Sequence, residues 1–318
     1  MKIEAFRKLM TVKLPLAAQV NLLKSFTLDD LTSAELTACA KVVLEQAIKI
    51  PLVDKRIVDL VGTGGDGTNT FNISTTAALV AAAAGVKLAK HGNKAITSQS
   101  GSFDLLQALG VKVPETSEEV VAQFSRCGVT FIFGPFFHPV LKQVVDARQV
   151  LSKQKIKTIF NVLGPLVNPM PVKRQALGVF QPQLVKPYIE TLQALGSEKS
   201  IVFHGHAMDE LSLTGPNHLA TLDKGTIHYD TLDAVSVGLR NCTLADLVGG
   251  SPAENAAITL GILKGEDQSV RRDVVCLNAA AAIKVSSDDA LDFKAAIDLA
   301  GQAIDQGKAM VLLEKLRG

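Results

Sequence analysis

IVDLVGTGGDGTNTFNISTTAALVAAAAGVKLAKHGN, residues 57–93, alternates between two textures. Ile57-Val58-Asp59-Leu60-Val61 reads as a short buried strand, and Gly62-Thr63-Gly64-Gly65-Asp66-Gly67 follows it directly. An Ala-rich run, Ser74 to Ala84, then has helical character and stops at Gly85. Val86 to Ala89 reads as a second strand, trailed by Lys90-His91-Gly92-Asn93. Strand, helix, strand at this spacing is a βαβ unit, which implies a parallel sheet. Further strands are expected at Val129 to Phe133 and Ser200 to Phe203, with a helix near Phe103 to Leu109.

Outward from this core the chain turns helical. Before Ile57 no strand pattern occurs. Pro15 opens one helix through Leu23, and Leu36, Cys39, Ala40, Val43, Leu44 and Ala47 recur at helical spacing behind a Thr32/Glu35 capping box. Beyond Pro252 the expected helices are Ala256 to Lys264, Asp273 to Ile283 and Asp289 to Gln306. The expected fold class is therefore α/β: a small helical domain plus a larger domain with a mostly parallel sheet.

Composition limits the function. The 318 residues are 47% hydrophobic and 20% charged, with 33 Lys+Arg against 31 Asp+Glu and a net charge of +2. Such a balance argues against a nucleic-acid binder that depends on a basic field. The apolar run Ala77 to Val86 is too short to span a bilayer, and the first ten residues carry charges rather than a signal core. Four cysteines show no CxxC or CxxH spacing, which points away from structural zinc and towards a reducing cytoplasm. With no Trp and two Tyr, little aromatic surface is available for stacking on nucleic acid.

In parallel sheets ligands bind beyond the carboxyl ends of the strands, so the residues trailing each strand carry the chemistry. The glycine loop, with Asn72, Ser74 and Thr75 at the following helix start, offers backbone N–H groups, hydroxyls and a positive dipole end for a phosphate or diphosphate. Gly62-x-Gly64-x-x-Gly67 formally fits the dinucleotide fingerprint, but the next strand ends in Lys90 rather than an acid. The nucleotide P-loop fails too, because Gly67 is followed by Thr68-Asn69. Lys90 supplies a point charge, and Asn93 a donor and an acceptor. Ser98 to Asp104 is a polar loop entering a helix, suited either to phosphate oxygens or to plain N-capping. Asp209 and Glu210, after the strand at Ile201 to Phe203, suit a hard cation. Arg148, on a helix behind Phe136-Phe137-His138-Pro139, is either a surface charge or a carboxylate clamp.

Taken together, GTGGD, NIST, KHGN, GSFDLLQALG, FxHP, TIFNVLGPLVNP and MDE occur in the order found in the anthranilate phosphoribosyltransferase family. Between about Val58 and Ala309 the chain resembles that family. Pyrimidine nucleoside phosphorylases are a weaker match. The resemblance implies a nucleoside phosphorylase/phosphoribosyltransferase-like fold, with a helical domain from residues 1–53 and about 137–171 and an α/β domain from 54–136 and 172–318. It implies transfer of phosphoribosyl from 5-phosphoribosyl-1-diphosphate to anthranilate, with Mg²⁺, in a cytoplasmic homodimer that engages neither nucleic acid nor membrane. It assigns the sugar diphosphate to Gly62, Gly65, Asp66, Asn72, Ser74, Thr75, Lys90 and Ser102, and counts Thr70, His91 and Gly92 among the substrate-binding residues. Metal falls to Ser74, Asp209 and Glu210. Anthranilate falls to Asn93, His138 and Arg148, and the catalytic set would be Lys90, Asn93 and Arg148. Lys157 stands where the family usually has Arg, and Ala207 where it usually has Gly.

Overall fold

The computed structural model describes residues 2–28, 31–51, 54–94 and 99–318. Its centre is one seven-stranded sheet: β1 (Val58–Gly62), β2 (Leu88–Gly92), β3 (Val129–Phe133), β4 (Arg174–Gly178), β5 (Lys199–His204), β6 (Asn217–Asp223) and β7 (Thr226–Leu232). The spatial order is β3-β2-β1-β4-β5-β6-β7. The first five strands in that order pair in parallel, and β6 and β7 return antiparallel. The expected mostly parallel α/β architecture is what the chain adopts.

Side chains alternate across the strands, and each face has its own core. Ala176, Ile201 and Phe203 point into one apolar cluster, with helices Ile73–Ala83, Val270–Ser286, Phe293–Asp305 and Lys308–Arg317. Val61, Leu177 and Val202 point into a second cluster, with helices Lys2–Thr11, Ser33–Glu45 and Val185–Ala194 and the segment Val140 to Val167. Thr32 and Glu35 form the expected capping box.

Several boundaries differ from the sequence reading. The second strand is not Val86 to Ala89; it runs through Gly92, so Lys90 and His91 are strand residues and not loop residues. Burial beside the Asp59 carboxylate overrides their polar character. The helix expected from Ala256 begins at Pro252, because Ser251 and Glu254 form a capping box there. β4 (Arg-Gln-Ala-Leu-Gly) escaped the reading because it lacks β-branched residues and carries two buried polar ones. The β6–β7 hairpin turns at Lys224 and Gly225, both at positive φ. Ser98 and the domain boundary at residue 53 lie outside the described residues.

The chain steps from β1 outward to β2 and β3, then returns to β4 and steps the other way. The topological switch point therefore lies between β1 and β4, whose last residues Gly62 and Gly178 are paired. The turn after β5 crosses directly over them. A Cβ on Gly178 would sit 1.6 Å from the Asp209 carbonyl oxygen, and one on Gly62 would sit 2.2 Å from Asp209 Oδ2. Only glycine fits at either place.

Two outcomes are expected. Gly178→Ala, by forcing the Asp209 turn off the sheet, lowers stability by at least about 1–3 kcal/mol and weakens divalent-cation binding, read by thermal melts with and without Mg²⁺. Ala207 is exposed at φ +64 within that turn. Ala207→Gly relieves the backbone and raises stability by up to about 1 kcal/mol, measured by denaturant titration.

Candidate functional site

β1 delivers the glycine loop to the switch point. Gly64 and Gly65 adopt positive φ, which turns the loop over the strand end. The Gly64 N–H donates to Asp209 Oδ2 at 2.5 Å, and the Gly65 carbonyl accepts from Lys157 Nζ at 2.9 Å. Asp66 accepts from the Thr68 N–H and hydroxyl. Carboxylate oxygens of Asp66, Asp209 and Glu210 lie within 4.8 Å of one another. The sequence placed Asp66 with the phosphate ligands; the fold adds it to the acidic pair.

Three carboxylates at this distance repel. Burial, and then the Asp66 charge, push Asp209 up to about 7. Burial with the Asp209 and Asp66 charges pushes Glu210 well above the usual carboxylate range. Glu210 Oε2 is buried with no hydrogen-bond partner. A hard divalent cation with oxygen ligands satisfies the charge, the repulsion and the unpaired oxygen together.

Lys90, 2% exposed, lies beneath this cluster. Its ammonium donates to the Leu60 carbonyl and lies 3.4 Å from Ser74 Oγ. Burial lowers its pKa to about 8, against the raising effect of Asp59, Glu210 and Asp209. Ser74 and Thr75 follow Asn72 at the start of helix Ile73–Ala83, and the Thr75 hydroxyl is buried without a partner. Asn72 is occupied differently from expectation. Its Nδ2 donates to the Ser100 carbonyl, and its Oδ1 accepts from Ser100 Oγ and Asn255 Nδ2. Thr70 bridges Val248. Ser102 opens helix Ser102–Ala108 beside Gly92.

A second polar group supports the first. Asp59, fully buried in β1, accepts from the His91 N–H at 3.2 Å and from Asn168 Nδ2 at 2.9 Å. Burial raises its pKa to about 7. His91 Nδ1 lies 3.2 Å from the Gly164 carbonyl, and its ring meets His138 edge-on at 5.4 Å. Burial pushes His91 down to about 3 and His138 down to about 4, so both imidazoles are neutral at pH 7. Gln175 Nε2 donates to the Pro165 carbonyl. These bonds tie the segment Thr158 to Met170 to the sheet.

Arg148, on helix Val145–Lys153, lies with its guanidinium 5.2 Å from the Phe160 ring centre. Burial lowers its pKa, and no carboxylate pairs with it among the described residues. Asn93 is exposed, and its side chain accepts from the Lys94 N–H. No hydrogen bond or ion pair among the described residues joins Asn93 or Arg148 to the acidic cluster. The fold thus gathers Gly62, Gly65, Asp66, Ser74, Lys90, Asp209 and Glu210, and leaves Arg148 in the neighbouring helical cluster. The sequence reading missed Asp59, Asn168 and Asn255. For Asp59 a signal existed: an acid inside an apolar strand run needs a partner.

Asp209 titrates near 7 when folded, above its unfolded value of 3.8. Stability is therefore lost as pH rises from about 4 through about 7, and the charged form opposes folding in full above that when no cation is present. Asp209→Asn keeps an oxygen for the Gly64 N–H. It is expected to raise the thermal midpoint at pH 8 in chelator and to abolish the stabilisation that Mg²⁺ gives the parent chain.

The model of the Glycosyl transferase family, a/b domain, matches residues 54–310. Anthranilate phosphoribosyltransferase of Methanosarcina mazei is 46% identical over 262 residues, covering 82% of this chain and 70% of that protein. The crystal structure of anthranilate phosphoribosyltransferase from Thermus thermophilus superposes with a TM-score of 0.91 at 37% identity, covering 100% of this chain and 95% of the other. The Saccharomyces cerevisiae enzyme, in complex with PRPP and Mg, gives a TM-score of 0.86 at 30% identity, covering 99% and 90%. Motif order, sheet topology and these likenesses agree, and the chain belongs to the anthranilate phosphoribosyltransferase family.

Proposed function

We propose that the chain transfers the phosphoribosyl group of 5-phosphoribosyl-1-diphosphate to the amine of anthranilate and releases diphosphate, a step of tryptophan biosynthesis. The observation that carries this reading is the three-carboxylate cluster beside a buried lysine, set against the glycine loop at the switch point.

In this reading the backbone of Gly62, Gly65 and Thr70 and the side chains of Ser74, Thr75, Lys90 and Ser102 hold the sugar diphosphate, with His91 and Gly92 shaping the strand end. Asp66, Asp209 and Glu210, with Ser74, hold Mg²⁺. When bound, Mg²⁺ neutralises charge that develops on the diphosphate as it departs. The C1–O bond breaks towards an oxocarbenium-like centre, and the electron pair leaves with diphosphate. The anthranilate nitrogen then forms the C1–N bond and sheds a proton. Little covalent help is needed. The chain's main work is charge neutralisation by Lys90 and loop N–H groups and alignment of the amine. Lys90 is well suited: the acidic groups around it favour its ammonium form, and the Leu60 carbonyl fixes its position.

Arg148 supplies the alignment. A half-buried guanidinium without a carboxylate partner among the described residues is available to a ligand, and the anthranilate carboxylate completes it. Asn93 and His138 complete the aromatic site. The helical body, residues 1–53 and about 137–171, contributes Arg148 and His138, and the α/β body contributes the diphosphate cradle. Exposed Val12, Leu16 and Val145 on the helical body fit a homodimer contact, and the free cysteines fit a reducing cytoplasm. No described helix is long and apolar enough to cross a membrane.

Mixing the protein with anthranilate, 5-phosphoribosyl-1-diphosphate and Mg²⁺ is expected to deplete anthranilate fluorescence; unchanged fluorescence refutes the reaction. Arg148→Ala is expected to raise the anthranilate KM by about 10- to 100-fold, the loss of one buried charge-assisted contact, and to leave the diphosphate KM within about twofold. Equal effects on both substrates would remove Arg148 from the carboxylate site.

A further inference from the structure

Helix Pro252–Leu263 comes from the last third of the chain, far in sequence from the glycine loop. It touches helix Ile73–Ala83 through two polar rungs. Asn255 Nδ2 donates to Asn72 Oδ1 at 2.9 Å, and one turn further Thr259 and Thr76 hydroxyls meet at 2.9 Å. Asn72 and Thr76 are four residues apart, as are Asn255 and Thr259, so the rungs fix the register between the helices.

The first rung does more than join helices. Asn255 is 2% exposed, and its Oδ1 accepts the Gly250 N–H at 2.8 Å. Ser100 donates to the same Asn72 oxygen that Asn255 uses, at 3.1 Å. Asn72 Nδ2 donates back to the Ser100 carbonyl at 2.9 Å. Both lone pairs of Asn72 Oδ1 are thereby engaged. Next to this node the chain Leu247 to Gly249 runs antiparallel to Asn69 to Phe71, through Phe71 N–H to the Leu247 carbonyl and Gly249 N–H to the Asn69 carbonyl. Three segments meet at this pair of amides, half-buried Asn72 and buried Asn255: the exit of the glycine loop, the loop before Ser102, and the Gly249-Gly250 turn.

We propose that Asn255 is a positioning residue for the transfer reaction: through Asn72 it holds the glycine-loop exit, and the helix start bearing Ser74 and Thr75, in register with the Ser100 loop. The site of the sugar diphosphate is taken from the function proposed above. Asn255 itself touches no substrate. Its effect belongs to the diphosphate end of the reaction, because the segments it joins form that end, and Arg148 lies in the other cluster. A misplacement of such a cradle by a fraction of an ångström is expensive, since the donors must meet the charge where it develops.

The test uses the full chain and three variants. Asn255→Ala is expected to raise the 5-phosphoribosyl-1-diphosphate KM about tenfold and to leave the anthranilate KM, at saturating diphosphate, within about twofold. Asn255→Asp keeps the acceptor for the Gly250 N–H but sets a carboxylate against Asn72 Oδ1. It is expected to fold like the parent and to show the same selective KM rise. Thr259→Val removes the other rung and is expected to lower the melting temperature with both KM values unchanged. On an Asn72→Ala background, Asn255→Ala should add no further KM change, because its effect passes through Asn72.

Hydrogen exchange of the ligand-free protein reads the same node without any activity. Amides 69–76 and 99–104 should exchange faster in both Asn255 variants and not in Thr259→Val. A parent chain that is inactive while exchange responds in this way sinks the reaction and spares the coupling. Unchanged exchange, an equal rise in both KM values, or a lowered melting temperature with unaltered KM in both Asn255 variants overturns the positioning role.

Discussion

The contact of the Asp209 turn with the ends of β1 and β4 is the constraint on which the site depends. Two glycines face each other at the switch point, and the absence of Cβ atoms lets a carbonyl and a carboxylate descend onto the sheet. Every other feature of the acidic cluster follows. Asp209 reaches the Gly64 N–H, Glu210 is drawn in beside it, and Asp66 closes the triad from the loop. A larger residue at either strand end would lift the turn away and leave the carboxylates in solvent, where repulsion would separate them.

This arrangement stores unfavourable electrostatics on purpose. Three carboxylates are brought together, Asp209 buried and Asp66 and Glu210 half-buried, and a lysine is buried beneath them. Alone, each is costly. The lysine offsets part of the acidic charge, and in the function proposed above a divalent cation offsets the rest. Asp59 performs a similar service one layer down. Its carboxylate takes the His91 N–H and the Asn168 amide, so the strand end that carries Lys90 is tied to the segment containing Gly164 and Pro165. The cradle and the neighbouring helical cluster are thereby linked through buried hydrogen bonds, each worth about 1.5–3 kcal/mol where a charge is involved.

Much of the candidate site was readable because the phosphate chemistry proposed for it leaves a local signature. Glycine loops, strand-end lysines and a helix start rich in hydroxyls are contiguous motifs, so Gly62, Gly65, Ser74, Thr75 and Lys90 stand out in one dimension. Asp209 and Glu210 stand out as adjacent acids after a strand. Asn255 gives no such sign. It is an amide in the first turn of an ordinary capped helix, and only the packing of that helix on Ile73–Ala83 gives it a partner. Asn72 shows the opposite case. Its motif marks it as a ligand, yet its side chain is spent on the protein itself.

The amino-acid order was enough to establish the βαβ core, the class of sheet and the family, since periodicity, glycine placement and motif order are properties of short segments. It was not enough to reveal β4, which is held by its neighbours rather than by its own propensity; the β6–β7 hairpin, by contrast, does carry a local signature, strand-forming Thr, Ile and Tyr in Thr226–Leu232 after a Lys224-Gly225 turn. Nor could it reveal that Asp66 joins a pair 143 residues away, that Lys90 is buried, or that Asn255 grips Asn72. Those facts arise where distant segments exclude water together, and the energy of a polar group depends on what surrounds it in space.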